Sequence, residues 1–194
     1  MSGRRRPMSV EEIQAVWAIP PMFGATIKSI QHGTVTADTN TNVIINSVDR
    51  SKSILFITHG GTYNESDTGG LYVNVISVKA QLTSNTNINL QVANALGPQV
   101  VAWTVVEFAS GVTVQRGEAD VFSTAGSNIA DITISTVAIE RSFVVFTYNG
   151  NHSTPSPNRW QPYAFLQSST NLRIQKTMAR AFMMSTAWQV VSFS

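Results

Sequence analysis

The 194-residue chain carries two near-copies of one unit, and no other feature limits so strongly what it can fold into. "AWTVVEF" at 102–108 returns as "AWQVVSF" at 187–193, which places Trp103 against Trp188 at a separation of 85 residues. "SIQHGTV" (29–35) is answered by "TVQRGEA" (113–119), pairing Gln31 with Gln115 and Gly33 with Gly117 at 84. "SVDRSKSILFIT" (47–58) is answered by "TVAIERSFVVFT" (136–147), pairing Val48 with Val137 and Ser53 with Ser142 at 89. "AQLTSNTNINLQ" (80–91) is answered by "AFLQSSTNLRIQ" (164–175), with Leu82 on Leu166 and Asn87 on Asn171 at 84. Separations that drift only between 84 and 89 mean small loop insertions around a repeated scaffold. The chain therefore divides into an N-terminal arm (1–26), unit one (27–111) and unit two (112–194). The junction "ASGVTV" (109–114) is too short for a flexible linker, so the units are expected in a fixed relation.

Within a unit the apolar residues recur with period two, the pattern of half-buried strands. "VIINSV", "SILFIT", "LYVNVISVKAQL", "INLQVA" and "VVAWTVVEF" read as strands, and the Gln-x-Gly segment supplies a sixth at the start. Strands broken by Gly, Asn and Ser clusters predict an all-β protein of two tandem, antiparallel, six-stranded β-sandwiches. In "WTVVEF" Trp103 and Val105 fall on one face with Glu107, and Thr104, Val106 and Phe108 on the other. Apolar side chains on both faces call for cover on both: the unit's own core, which takes the tryptophans, and either the sister unit or another chain.

Only 12% of the residues are charged, about half the usual share of roughly 25%. The formal charge of +2 is concentrated in Arg4, Arg5 and Arg6, and the rest of the chain carries 10 basic against 11 acidic residues. A neutral body makes no case for a nucleic-acid groove, and weak net charge favours association, here as a homo-oligomer. The absence of cysteine excludes disulfides and thiolate metal sites. No apolar run approaches the ~18 residues needed to cross a bilayer, and no apolar stretch follows the arginines as a secretory signal requires. Neither membrane insertion nor secretory export is expected.

The arm differs in kind. Ser9 followed three residues later by Glu12 forms a capping-box pattern, and Ile13, Val16 and Trp17 follow at helical spacing until Pro20 and Pro21 stop the helix. A helix of about two turns is marginal alone, so Ile13, Trp17 and Phe23, led by Arg4, Arg5 and Arg6, read as a docking arm that buries itself on a neighbour.

His32, His59 and His152 lie apart, with no partner at ligand spacing, and Asp49 and Glu140 occupy one turn in each unit rather than a shared site. No phosphate, dinucleotide or calcium motif is present, and the expectation is a protein without catalytic residues, metal or cofactor. Two loops, "HGGTYNESDTGG" (59–70) and "YNGNHSTPSPNRWQP" (148–162), follow the same strand in their units. Tyr63, Asn64 and Asp67 in the first, and Asn158, Arg159 and Trp160 in the second, combine an aromatic face with polar groups. Such loops suit a protein partner or a glycan, such as one on a host surface.

The Gln-x-Gly opening strand, the "SVDRSKS" segment and the closing W-x-V-V-x-F strand running into "GVTVQRG" together resemble the repeat of structural proteins encoded by tailed bacteriophages, over residues 27–194. The six-stranded unit is more distantly similar to the H-type lectin fold. The phage resemblance implies a virion component present in many copies, such as a head decoration, collar or fibre, or tail or baseplate protein, assembled in the host cytoplasm beside other virion proteins. It brings no catalytic or ligand residues. Unit two departs from it where "SVDRSKS" becomes "TVAIERS". A receptor- or glycan-binding module that uses the two loops and a hydrolase acting on surface polysaccharide are the alternatives.

Overall fold

In a computed structural model, residues 24–61, 77–92, 99–122, 127–150, 161–176 and 184–194 are described, and they form twelve strands. The first six are β1 (Thr26–Ala37), β2 (Asn40–Ile44), β3 (Ser53–Gly61), β4 (Val78–Ser84), β5 (Asn87–Val92) and β6 (Gln99–Ser110). The second six are β7 (Val112–Val121), β8 (Ile129–Thr133), β9 (Ser142–Gly150), β10 (Tyr163–Ser168), β11 (Asn171–Gln175) and β12 (Met184–Phe193). Every pairing is antiparallel, in four three-stranded sheets ordered β1-β6-β3, β2-β5-β4, β7-β12-β9 and β8-β11-β10. The last two sheets repeat the first two strand for strand. Among the described residues strands β1–β6 pair only with one another and β7–β12 likewise, and Gly111, at φ 76°, turns the chain from β6 directly into β7.

Each unit closes its two sheets on an apolar core. In unit one Leu55, Val101 and Val105 meet Leu82, Ile88 and Leu90 of the opposite sheet. In unit two Trp188 and Val190 meet Leu172, and Met184 meets Ile174. Both tryptophans thus turn inward, as the alternation predicts.

The Gln-x-Gly element is a double clamp. Gly33 lies opposite Trp103 and Gly117 opposite Trp188 in the strand register. Each indole covers its glycine so closely that a Cβ there would stand 2.8 Å from Trp103 Cζ2 and 2.5 Å from Trp188 Cζ2, the close approach that explains a glycine inside a strand. Two residues earlier, the Gln31 amide accepts from Asn46 N–H (2.8 Å) and donates to Asn46 C=O (3.1 Å). Gln115 does the same to Ser135, at 2.7 and 2.9 Å.

The "VIINSV" strand ends earlier than the periodicity predicts, at Ile44. Beyond it Ile45 and Val48 donate to Thr86 and Asn85, carbonyls of the β4–β5 turn, in place of a ladder partner. Ile134 and Val137 do the same to Thr170 and Ser169. Asp49 and Glu140 sit at equivalent short 3-10 turns, Arg50–Lys52 and Ile139–Arg141, as the repeat implies.

Candidate assembly interface

The alternation that sends Trp188 and Val190 inward turns Gln189 and Val191 outward. On the flanking strands Val112, Val114, Arg116 and Glu118 of β7 and Val145 and Thr147 of β9 meet unit one on the same outer face. That face receives the side of unit one where β3 and β4, the border strands of its two sheets, lie next to each other. Ile54 of β3 is buried among Val112, Val114 and Val191, with Phe108, Val145 and Phe193 around it. The units therefore meet edge on face rather than face on face.

Two outward side chains complete the backbone of that edge. The buried Gln189 amide accepts from Leu55 N–H through Oε1 at 2.9 Å and donates to Leu55 C=O through Nε2 at 2.8 Å. The Thr147 hydroxyl accepts from Ala80 N–H at 3.0 Å and donates to Ala80 C=O at 3.1 Å. Both stand where a further strand would pair, so the open edge, an aggregation hazard in isolation, is satisfied within the chain.

Charge frames this contact. Lys79 is 3% exposed, and its ammonium donates to Glu118 Oε2 at 2.7 Å and to Ser185 Oγ at 3.0 Å. Gln81 Nε2 donates to the other Glu118 oxygen at 2.8 Å. The Lys79 hydrogen bond, aided by Gln81, holds the Glu118 carboxyl below its usual range against a smaller effect of burial. The Arg116 guanidinium donates to the carbonyls of Arg50 and Ser53, the latter at 2.7 Å. Burial, reinforced by Arg50, pushes its pKa down to about 10, which leaves it charged at neutral pH.

Where the two units differ, the difference is chemical. Glu107, 2% exposed, accepts from Lys28 Nζ (2.8 Å), Ser29 Oγ (3.0 Å) and Asp49 N–H (3.0 Å). Burial alone would raise its pKa, but these three donors and the Lys28 charge outweigh it and hold the carboxyl below the ordinary range. The matching residue of unit two, Ser192, shares a 2.8 Å hydrogen bond with Ser142 Oγ. The Asn42–Asn89 amide pair of unit one (3.0 Å) becomes the Asp131–Arg173 ion pair of unit two (2.8 Å).

The candidates named from sequence are not among these groups. Arg4, Arg5, Arg6, Ile13, Trp17 and Phe23 of the arm, with its short helix, lie outside the described residues. So do Tyr63, Asn64 and Asp67 of the first loop and Asn158, Arg159 and Trp160 of the second. His32 is exposed on β1, and His59 stands near the end of β3 beside Tyr148 and Gln161 of unit two. Among the described residues no group of three or more His, Asp or Glu side chains is placed to hold a metal ion, and no helix is long and apolar enough to cross a membrane. The residues that join the units, Gln189, Thr147, Arg116, Glu118 and Lys79, were not singled out by motif. The one signal for them in the sequence is the second apolar face read on the first Trp-containing strand, at Val106 and Phe108, whose counterparts in unit two are Val191 and Phe193.

The chain matches no family model, no curated protein and no solved structure.

Proposed function

We propose that this chain is a non-enzymatic structural component of a tailed-phage virion, a part of the head decoration, collar or fibre, or tail or baseplate, assembling in many copies and docking through its N-terminal arm. The observation that carries the assembly part of this reading is the edge-on-face contact. Gln189 and Thr147 spend their side chains on the backbone of a sister unit and so join the two sandwiches. Two joined copies of one scaffold suit a part that fills pseudo-equivalent positions in a symmetric particle. The phage assignment itself rests on the sequence resemblance of residues 27–194. Deleting residues 1–24 tests it: the truncated chain remains folded but is missing from purified particles, and normal incorporation of the truncated chain overturns the docking role.

A second reading has one observation in its favour. β3 ends at Gly61 and β9 at Gly150, matching positions of the repeat, so the segments 59–70 and 148–162 leave equivalent ends of the two sandwiches. Paired loops of that kind serve a receptor- or glycan-binding module. A glycan array on the full chain, with Tyr63→Ala and Trp160→Ala as controls, decides it: binding lost in both variants supports the module, and no binding at all removes it.

A further inference from the structure

The contact inside the chain is used once but built twice. It consumes the β3–β4 edge of unit one and the outer face of β7-β12-β9 in unit two. The matching parts are left over: the β9–β10 edge of unit two and, apart from Ile54 and Phe108, the outer face of β1-β6-β3 in unit one, neither of which pairs with another strand among the described residues. Burial along the strands records this asymmetry. Ser53, Ile54 and Leu55 at the start of β3 are buried, whereas Ser142, Phe143 and Val144 of β9 are not. Val114 of β7 is buried, whereas its counterpart Ile30 of β1 is exposed.

We infer that copies of this chain associate head to tail, the β9–β10 edge of one docking on the outer β1-β6-β3 face of the next and so repeating between chains the contact that joins the two units within one.

The repeat separations of 84, 85 and 89 map each contact residue onto its counterpart; Thr104 stands where Gln189 does, so the amide bonds to the edge do not recur, and the case rests on the apolar counterparts. Nine large apolar side chains are exposed among the described residues, and six of them fall on the two unused surfaces. Ile30 (55% exposed), Phe56 and Val100 (54%) lie on the face, at the positions of Val114, Val145 and Ser185. Ile139 (45%), Phe143 and Tyr163 (47%) lie on the edge, at the positions of Arg50, Ile54 and Lys79. These six side chains share one face and one edge that the intrachain contact leaves open, as an association surface requires. Thr58 keeps the hydroxyl that Thr147 uses, now facing a position for Ala164, the counterpart of Ala80. The charged set does not recur: the Lys79–Glu118 pair corresponds to Tyr163 and Thr34, and Arg116 with its Arg50 carbonyl to His32 and Ile139. An intrachain contact cemented by charge thus becomes an apolar contact between chains. Because the contact joins an edge to a face, two unlike surfaces, it is heterologous and propagates, closing into a ring of sandwiches or continuing as a filament.

This inference deepens the reading as an assembly part and rests on it, but it is tested in the absence of any particle. Native mass spectrometry of the full chain at roughly 100 µM, well above the Kd of a standard-sized specific interface, is expected to show oligomers. Val100→Asp removes the face and Tyr163→Asp the edge, both at exposed positions, with far-UV circular dichroism spectra expected to match the parent. Each variant alone is expected to be monomeric, and an equimolar mixture is expected to give a dimer with one copy of each, since each supplies the surface the other lacks. A monomeric parent, oligomers that survive both substitutions, a mixture that stays monomeric, or an oligomer abolished only by deleting residues 1–23 would each overturn the inference. The virion reading fails separately, through particle incorporation, which leaves these masses unchanged.

Discussion

Gln189 stands to Leu55 as a neighbouring strand would, closing both of its backbone hydrogen bonds from the side chain of a residue 134 positions away. Gln189→Leu keeps the bulk but leaves a buried N–H and C=O unpaired. The expected loss is about 2–4 kcal/mol, located between the units. Calorimetry is therefore expected to resolve the single transition of the parent into two.

The contact of each indole with its glycine leaves no room for a methyl group. Gly117→Ala and Gly33→Ala are expected to destabilise by about 1–3 kcal/mol, the first more than the second because its Cβ would meet the ring at 2.5 rather than 2.8 Å. Urea titrations followed by tryptophan emission measure both, and equal stability of parent and variants would refute the clamp.

Glu107 sets a pH dependence whose sign follows from its lowered pKa. In the unfolded chain it titrates near the ordinary glutamate value of 4.5, and in the folded protein it titrates below that. The unfolded state therefore binds more protons between the two values, and stability falls as pH drops through this window. The stabilisation is complete above the unfolded value and gone below the folded one. Glu107→Gln is expected to be less stable at pH 7 and to have a shallower acid slope than the parent, read from unfolding midpoints between pH 7 and 3.

Lys79 is buried but Glu118 is 48% exposed, so their bond is screened on one side. Glu118→Ala strands a buried ammonium and is expected to cost about 1–2 kcal/mol, below the roughly 3–5 kcal/mol of a fully buried pair. Lys79→Met is expected to cost less, since it removes the charge along with its need for a partner. The double variant is expected to match Lys79→Met alone, which a double-mutant cycle checks.

Much of the fold was legible because it depends on local chemistry repeated at a fixed spacing. Gln31 and Gln115, Gly33 and Gly117, and Trp103 and Trp188 could be paired from the letters, and each pair does the same work in its unit. The strand limits were less legible at β2. There the apolar alternation continues past Ile44 while the hydrogen bonds pass to the β4–β5 turn, and a hydrophobic pattern cannot report which carbonyl accepts.

Period-two alternation and the 84–89 residue repeat by themselves determined an all-β chain of two like units, because side-chain direction along a strand is a local property. They also showed that the Trp-containing strands need cover on both faces. Only the tertiary structure decided which face received it. Val106 of unit one and Val191 of unit two occupy the same place in nearly the same sequence, yet Val191 is buried beneath the sister unit and Val106 is half-buried. The physical reason is that a heterologous contact uses one surface of each copy and leaves the other, a choice made between residues far apart in sequence and written in no segment of it.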